Sequence, residues 1–104
     1  MEKLGYGTQL TVHATQAPRD RLLDSEQMVG LLQKLADEVD RSPDKRTVVR
    51  IDSEDGTSGV ILGSESQFYI HMFPDSGTVL LRVFTRKDVP LSPLVRLFRQ
   101  HFET

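Results

Sequence analysis

The sequence predicts an α+β domain, a two-layer sandwich in which an antiparallel sheet carries two helices on one face, in the order β-α-β-β-β-β-α. Two segments repeat apolar residues with the period of an α-helix, and five runs rich in β-branched or aromatic residues alternate with clusters of Gly, Ser, Asp and Pro. The chain has 104 residues, of which 38% are apolar and 27% charged. This length and composition indicate a single domain, residues 1–104, with one core.

The first half of the chain predicts one strand and one helix. The strand is predicted from Gly5 to Thr15, and its even-numbered residues form the more apolar face: Tyr6, Thr8, Leu10, Val12 and Ala14. After a turn over QAPRDRLLDS, a helix is predicted over roughly residues 26–40, with Asp24 and Ser25 as N-cap candidates. Its apolar stripe has the spacing i, i+3, i+4, i+7: Met28, Leu31, Leu32, Leu35, Ala36 and Val39.

The second half predicts four consecutive antiparallel strands and a closing helix. A polar loop, DRSPDKR, precedes the strand segments TVVRID, TSGVILG, SQFYIHMF and GTVLLRVFT. The last segment, LSPLVRLFRQHFE, predicts a helix with Ser92 as N-cap and Pro93 at the first helical position. The apolar side of this helix is formed by Leu94, Val95, Leu97, Phe98, His101 and Phe102.

The composition argues against several classes of function. A net charge of −2 offers no general attraction to nucleic acid or to an anionic membrane, and no apolar run reaches the ~20 residues of a membrane helix. The absence of cysteine excludes disulfides and thiolate chemistry, and His13, His71 and His101 lack metal-ligand spacing. We therefore expect a cytoplasmic protein without a metal, a nucleic-acid partner or a membrane partner.

The stretch GSESQFYIHMF, residues 63–73, contains the most informative turn. If GSES joins two antiparallel strands, Ser58 lies opposite His71, and Phe68 belongs to the face beneath the helices. The other face of this strand carries Gln67, Tyr69, His71 and Phe73, a mixed set that favours a ligand or a second subunit. Because side chains alternate along a strand, chemistry that joins Ser66 to His71 requires Ser66 in the turn or a bulge between the two.

Four blocks of this region resemble the small bacterial and archaeal S-adenosylmethionine decarboxylases. Members of that family carry Ser-Gly-Val-Val, then Glu-Ser-His, then Ile-His-Thr-Trp-Pro-Glu, then Val-Phe-Thr-Cys-Gly. The corresponding blocks here are SGVI, ESQ, IHMFPD and VFTRK, with no insertion between them. The resemblance continues more loosely through the first strand and helix, so it covers most of the chain.

The resemblance implies a pyruvoyl enzyme of polyamine biosynthesis, matured by self-cleavage. The hydroxyl of Ser66 would attack the carbonyl of Glu65, and fragments 1–65 and 66–104 would result, the second beginning with a pyruvoyl group. His71 and Ser58 would assist this maturation. The pyruvoyl cofactor would then bind a substrate amine and act as an electron sink for loss of carbon dioxide. Active members of the family are dimers with sites near the subunit junction, which implies a homodimer here.

Two departures from the family pattern bear on the substrate. Arg86 stands where the family has the cysteine that protonates the substrate, and arginine is a poor general acid because it stays protonated. Asp52 stands where the family has a phenylalanine that stacks on adenine, and an aspartate suits a cationic amine instead. These changes favour a basic amino acid such as ornithine or arginine as substrate. The alternative is an unprocessed, non-catalytic relative with a binding or regulatory role.

Overall fold

The computed structural model describes residues 2–4, 6–41 and 46–103, and it confirms the predicted fold class. The described strands form one antiparallel sheet in the order β1-β2-β6-β5-β4-β3. The strands are β1 (Glu2–Leu4), β2 (Gly7–Ala14), β3 (Thr47–Ser53), β4 (Gly56–Leu62), β5 (Ser66–Phe73) and β6 (Thr78–Thr85). The helices are α1 (Arg19–Leu22), α2 (Ser25–Val39) and α3 (Ser92–Phe102). None of the described helices combines the length and the apolar character that a membrane span requires.

The structure differs from the sequence prediction mainly near the N-terminus. A short strand, β1, pairs with β2, so Tyr6 lies in the turn between them with 72% of its surface exposed and does not belong to the apolar face of a strand. The segment predicted as a turn before α2 contains the short helix α1, whose Leu22 is buried. Of the predicted polar loop DRSPDKR, residues 42–45 lie outside the described part of the chain.

The two longer helices match their predicted stripes. Asp24 is the N-cap of α2, because its carboxylate accepts a hydrogen bond from the Gln27 N–H at 3.0 Å. For α3 the predicted cap is wrong: Leu91 is the N-cap, no side chain caps the helix, and Ser92 is its first residue. Leu91 is almost completely buried. The start of α3 therefore coincides with a packed apolar side chain and not with a capping hydroxyl.

The core lies between the helices and one face of the sheet. It contains the β5 residues Phe68, which was predicted for this face, Ile70 and Met72, each at most 2% exposed, and the helical residues Leu31, Leu35 and Phe98. Leu97, predicted as core, is only partly buried against it. A Cβ atom built on Gly59 of β4 would lie 3.0 Å from the Met28 side chain and 3.3 Å from that of Leu32. Glycine at this position therefore allows α2 to pack closely on the sheet.

The register of β5 is continuous with both neighbouring strands. Ser58 pairs with His71, as predicted, Leu62 pairs with Gln67, and Ser66 pairs with Thr85 on the other side. The pairing runs without a bulge from Ser66 to the end of the strand. Alternation therefore holds throughout β5, and its side chains divide strictly between the two faces.

The face of the sheet opposite the helices, here called the open face, is uncovered in the single chain. The strand residues of this face include Arg82 and His71, and none of those in β2 to β6 is an aspartate or glutamate. Several large apolar side chains of this face are exposed or half-buried: Val49, Ile51, Val60, Leu62, Tyr69, Phe73 and Phe84.

Acid is expected to destabilise the fold through His101. Burial of this ring and, next, the positive charges of Arg21 and Lys34 lower the pKa of His101 below its ordinary value of 6.5, and Asp24 opposes them only in part. The folded state therefore favours the neutral ring, whose stabilisation is complete above about pH 6.5 and is lost as the pH falls below that value. Urea unfolding at about pH 7.5 and about pH 5.5 should show a smaller acid-induced loss in His101→Gln than in the unsubstituted chain. The matched change His13→Gln, at an exposed position, should leave the loss unchanged; equal losses in all three proteins would contradict the assignment.

Candidate active site

Ser66 is the first residue of β5 and lies on the helix side of the sheet. It is buried, with 5% of its surface exposed, and Thr85 opposite it on β6 is fully buried. The two hydroxyl oxygens are 2.8 Å apart and share a hydrogen bond. The Lys87 N–H donates to the Thr85 hydroxyl oxygen at 3.0 Å, so Thr85 links Ser66 to the chain just beyond β6.

Backbone hydrogen bonds hold the carbonyl groups of Glu65 and Ser66. The Arg86 N–H donates to the Glu65 carbonyl oxygen at 2.8 Å, and the Gly63 N–H donates to the Ser66 carbonyl oxygen at 2.9 Å. A donor on the Glu65 carbonyl polarises it and stabilises the negative charge that its oxygen gains when a nucleophile attacks. Arg86 thus contributes its backbone to this group, whatever its side chain does.

Lys87 connects the turn to the end of α2. Its Nζ lies 3.8 Å from a carboxylate oxygen of Glu65 and 3.5 Å from one of Asp40, the C-cap residue of the helix. All three side chains are partly exposed, so these ion pairs add little stability. They link the Glu65 turn to the C-terminal end of α2.

A second polar group lies on the open face. The Ser58 hydroxyl hydrogen-bonds to Nδ1 of His71, and the Tyr69 hydroxyl lies 3.3 Å from the same nitrogen. The His71 ring is stacked against Phe73, with ring centroids 4.1 Å apart. Nε2 of His71 is buried and has no hydrogen-bond partner among the described residues.

The two groups are separate within one chain. His71 is five residues beyond Ser66, which corresponds to about 17 Å along a strand at ~3.4 Å per residue. The side chains also lie on opposite faces, since five is an odd number and β5 has no bulge. Neither of the conditions that would join them, Ser66 within the turn or a bulge before His71, is present. Ser58 accompanies His71 and is equally far from Ser66.

Of the two residues predicted to bind substrate, only Arg86 lies near Ser66. Its side chain is exposed and forms no ion pair with the residues that the structure describes. Asp52 lies on the edge strand β3, where its carboxylate binds Arg50 at 3.3 Å and the Thr57 hydroxyl at 3.0 Å. Because Thr57 is at the opposite end of β4 from the Glu65 turn, Asp52 is remote from Ser66 in the same chain.

The sequence prediction missed Thr85 and Lys87. Thr85 belongs to the VFT block, but its relation to Ser66 depends on the pairing of β5 with β6, which the sequence predicted only as an antiparallel pair without a register. Alternation offers a partial signal, because Thr85 shares the parity of Leu81 and Val83 and so belongs to the helix side.

A concavity on the open face lies at the same end of the sheet as the Glu65 turn. Its volume is about 390 Å³, and apolar and polar side chains line it together. The principal lining residues are Gln9, Val60, Leu62, Tyr69, Arg82 and Phe84. Because Gln67 and Phe84 pair across β5 and β6 next to Ser66 and Thr85, this concavity is separated from the Ser66 hydroxyl mainly by the thickness of the sheet.

Three comparisons with known proteins bear on these residues. A family model described as S-adenosylmethionine decarboxylase matches residues 8–104. Among solved structures, the adenosylmethionine decarboxylase from Aquifex aeolicus VF5 is similar with a TM-score of 0.76, at 17% identity, over 93% of this chain and 80% of that chain. A search of curated proteins found no match. The structural similarity, at this low identity, establishes the fold, whereas the family model extends over almost the whole chain.

Proposed function

The chain belongs to the S-adenosylmethionine decarboxylase family, and on that premise we propose that it is a pyruvoyl-dependent decarboxylase that cleaves its own backbone between Glu65 and Ser66. One observation carries the proposal: the Glu65 carbonyl accepts the Arg86 N–H at 2.8 Å, next to a Ser66 hydroxyl that is held by Thr85 at 2.8 Å. A nucleophile and an activated carbonyl in adjacent residues are the two components that such a cleavage requires.

The proposed maturation has two stages. The Ser66 oxygen bonds to the Glu65 carbonyl carbon, the C–N bond breaks and the hydroxyl proton passes to the nitrogen, so an ester replaces the peptide bond. The α-proton of Ser66 is then removed and its Cβ–Oγ bond breaks, so that Glu65 leaves as a carboxylate. The remaining enamine takes up water as its imine and releases ammonia, which leaves a pyruvoyl group at the start of fragment 66–104.

The residues around Ser66 fit such a group. Thr85 is the buried donor that would hold it, and the Lys87 N–H keeps the Thr85 hydroxyl in place. When present, a pyruvoyl carbonyl condenses with a substrate amine and withdraws electrons from the substrate as carbon dioxide leaves. The chain's own contribution is to bury this position and to exclude water from it, because both Ser66 and Thr85 are at most 5% exposed.

We further propose that the chain functions as a homodimer that uses its open face. In one chain His71 is about 17 Å along the strand from Ser66, so it does not reach the bond proposed for cleavage. The open face also exposes 55% of Ile51 and 39% of Val49, apolar surface that a second copy would remove from water. A second copy is therefore the most direct source of Ser58 and His71 side chains for the maturation of Ser66.

The substrate of the proposed reaction is an amine that carries a carboxylate. Arg86, beside Ser66, does not release a proton at ordinary pH, so the protonation that follows loss of carbon dioxide needs another donor. Basic amino acids such as ornithine or arginine, whose decarboxylation yields amines used in polyamine biosynthesis, are proposed alongside S-adenosylmethionine. A role for Asp52 in binding their distal amine requires release from Arg50, since the two side chains pair at 3.3 Å.

The second candidate is an unprocessed relative with a binding or regulatory role. It is favoured by the distance between Ser66 and the Ser58–His71 pair in one chain, which leaves maturation without a nearby base. Under this alternative, the exposed Arg86 side chain binds an anion or a partner protein.

Intact mass spectrometry of the purified chain tests the proposal. We expect two fragments, 1–65 and 66–104, the second carrying a carbonyl that reacts with a hydrazide probe. Sedimentation of the same preparation should report a dimer, and carbon dioxide release should follow addition of ornithine, arginine or S-adenosylmethionine. A chain that stays whole and unreactive to the hydrazide would reject the decarboxylase in favour of the second candidate.

A further inference from the structure

The short segment from Thr85 to Lys87 contacts both reacting groups of the proposed cleavage. Resting on the proposed function, we infer that Thr85 is a positioning residue: its hydroxyl selects the Ser66 rotamer from which the Glu65 carbonyl is attacked. The same segment supplies the Arg86 N–H to that carbonyl, so the nucleophile and its target are held by consecutive residues of one strand end.

The burial of Thr85 argues that its hydroxyl is not incidental. Thr85 is fully buried at the end of β6, where its neighbours on the helix side, Leu81 and Val83, are apolar. Burying a hydroxyl is costly unless it is hydrogen-bonded, and valine has nearly the same shape without that cost. The Thr85 hydroxyl is satisfied twice, by the Lys87 N–H at 3.0 Å and by Ser66 at 2.8 Å.

The hydrogen bond from the Lys87 N–H determines which hydrogen-bonding groups of the Thr85 hydroxyl remain for Ser66. It occupies one lone pair of the Thr85 oxygen, which leaves one lone pair and the hydroxyl proton for Ser66. In either direction of the shared bond, the Ser66 side chain is confined to one of its three staggered rotamers. Holding a nucleophile in a single orientation removes part of the entropy barrier to attack.

A purely structural role for Thr85 predicts a different result. In that case the bond only satisfies two buried hydroxyls, and its loss lowers the stability of the fold without a specific effect on cleavage. The two roles separate because a serine at position 85 keeps the hydroxyl but loses a methyl group from the core, whereas valine keeps the volume but loses the hydroxyl.

The test measures the rate of self-cleavage of the full chain made by cell-free synthesis, followed by intact mass over time. Thr85→Val should cleave about tenfold more slowly or worse, and Thr85→Ser should stay within about threefold of the unsubstituted chain. Val83→Ala, which removes volume from the same buried row of β6, should lower the melting temperature but leave the cleavage rate unchanged. If Thr85→Val does not fold, Thr85→Ala provides the variant without a hydroxyl.

Each outcome distinguishes the inference from the function on which it rests. Cleavage of Thr85→Val at the normal rate, or faster, overturns the positioning role while the self-cleaving function stands. Equal slowing of cleavage in Thr85→Val, Thr85→Ser and Val83→Ala would show that slower cleavage follows from lower stability of the fold. This result also overturns the positioning role. An unsubstituted chain that never cleaves overturns both proposals.

Discussion

Replacing Ser66 by alanine is expected to leave the chain as one uncleaved polypeptide of 104 residues, whereas the unsubstituted chain is expected to yield fragments 1–65 and 66–104. The substitution removes the only oxygen that can convert the Glu65 peptide bond into an ester on this side chain, so the loss of cleavage should be complete. Intact mass and a denaturing gel measure it. The hydrazide-reactive carbonyl should disappear together with the cleavage.

Ser64→Ala is the matched control for this substitution. Ser64 is exposed in the same turn, two positions before Ser66, so its removal should leave cleavage intact. Ser66→Ala also removes one of the two hydrogen bonds of the buried Thr85 hydroxyl, while the bond from the Lys87 N–H remains, and this loss should cost about 1 kcal/mol of unfolding free energy. Cleavage of the Ser66→Ala chain directly after Glu65 would contradict the assignment of Ser66, and cleavage that stops in Ser64→Ala would move the nucleophile to that residue.

The second large effect is expected at Arg86, and it depends on the backbone rather than the side chain. Arg86→Pro removes the N–H that donates to the Glu65 carbonyl at 2.8 Å, whereas Arg86→Ala keeps it. Loss of one donor to a developing oxyanion typically slows a reaction by about 10²–10³-fold. We therefore expect slowing of that order in Arg86→Pro and nearly normal cleavage in Arg86→Ala, measured as the rate of fragment formation after cell-free synthesis.

Circular dichroism and thermal unfolding of both Arg86 variants provide the control for folding. Arg86 follows the last residue of β6, so proline there removes no hydrogen bond within the strand itself. A folded Arg86→Pro protein that cleaves at the normal rate would show that the N–H is dispensable. Slow cleavage in Arg86→Ala as well would show that the guanidinium group, and not only the backbone N–H, contributes to cleavage.

Arg86, at the position of the family's cysteine, has different consequences through its side chain and through its backbone. From the resemblance alone, Arg86 marks the loss of an acid from the decarboxylation step. In the structure, the backbone of the same residue contacts the Glu65 carbonyl, and any residue except proline provides that contact. Under the proposed function, maturation and turnover are therefore separable: an arginine in place of the cysteine affects turnover, and the backbone donor for maturation is retained.

Most of the fold was predictable because local patterns specify it. The stripe of α2 and its Asp24 cap depend on residues within one or two turns, and the alternation in β5 depends on neighbours two positions apart. The register of β4 with β5 was predictable as well. The short GSES connection determines which residues of the two strands lie opposite each other, and it places Ser58 opposite His71. The errors fell where tertiary packing overrides local preference, as at Leu91, whose buried side chain rather than the Ser92 hydroxyl starts α3.

The composition of the candidate site was predictable only in part. Ser66, Glu65 and the Ser58–His71 pair follow from the sequence and its family resemblance, and the pair is present on the open face. The sequence pattern also implied that Ser66 and His71 point to opposite faces, but it left open a bulge or turn that would unite them. The structure has a regular β5, so the two groups stay apart in one chain.

The linear pattern of apolar and polar residues was sufficient to establish the sheet, the helices that cover it and the strand that carries Ser66, because each depends on neighbours close in sequence. The partners of Ser66 were not accessible in that way. Thr85 is 19 residues away, and its contact depends on the register of β5 with β6, which the core on the helix side selects. Only the folded chain decides that a threonine hydroxyl and a backbone N–H, rather than Ser58 and His71, lie beside the bond proposed for cleavage.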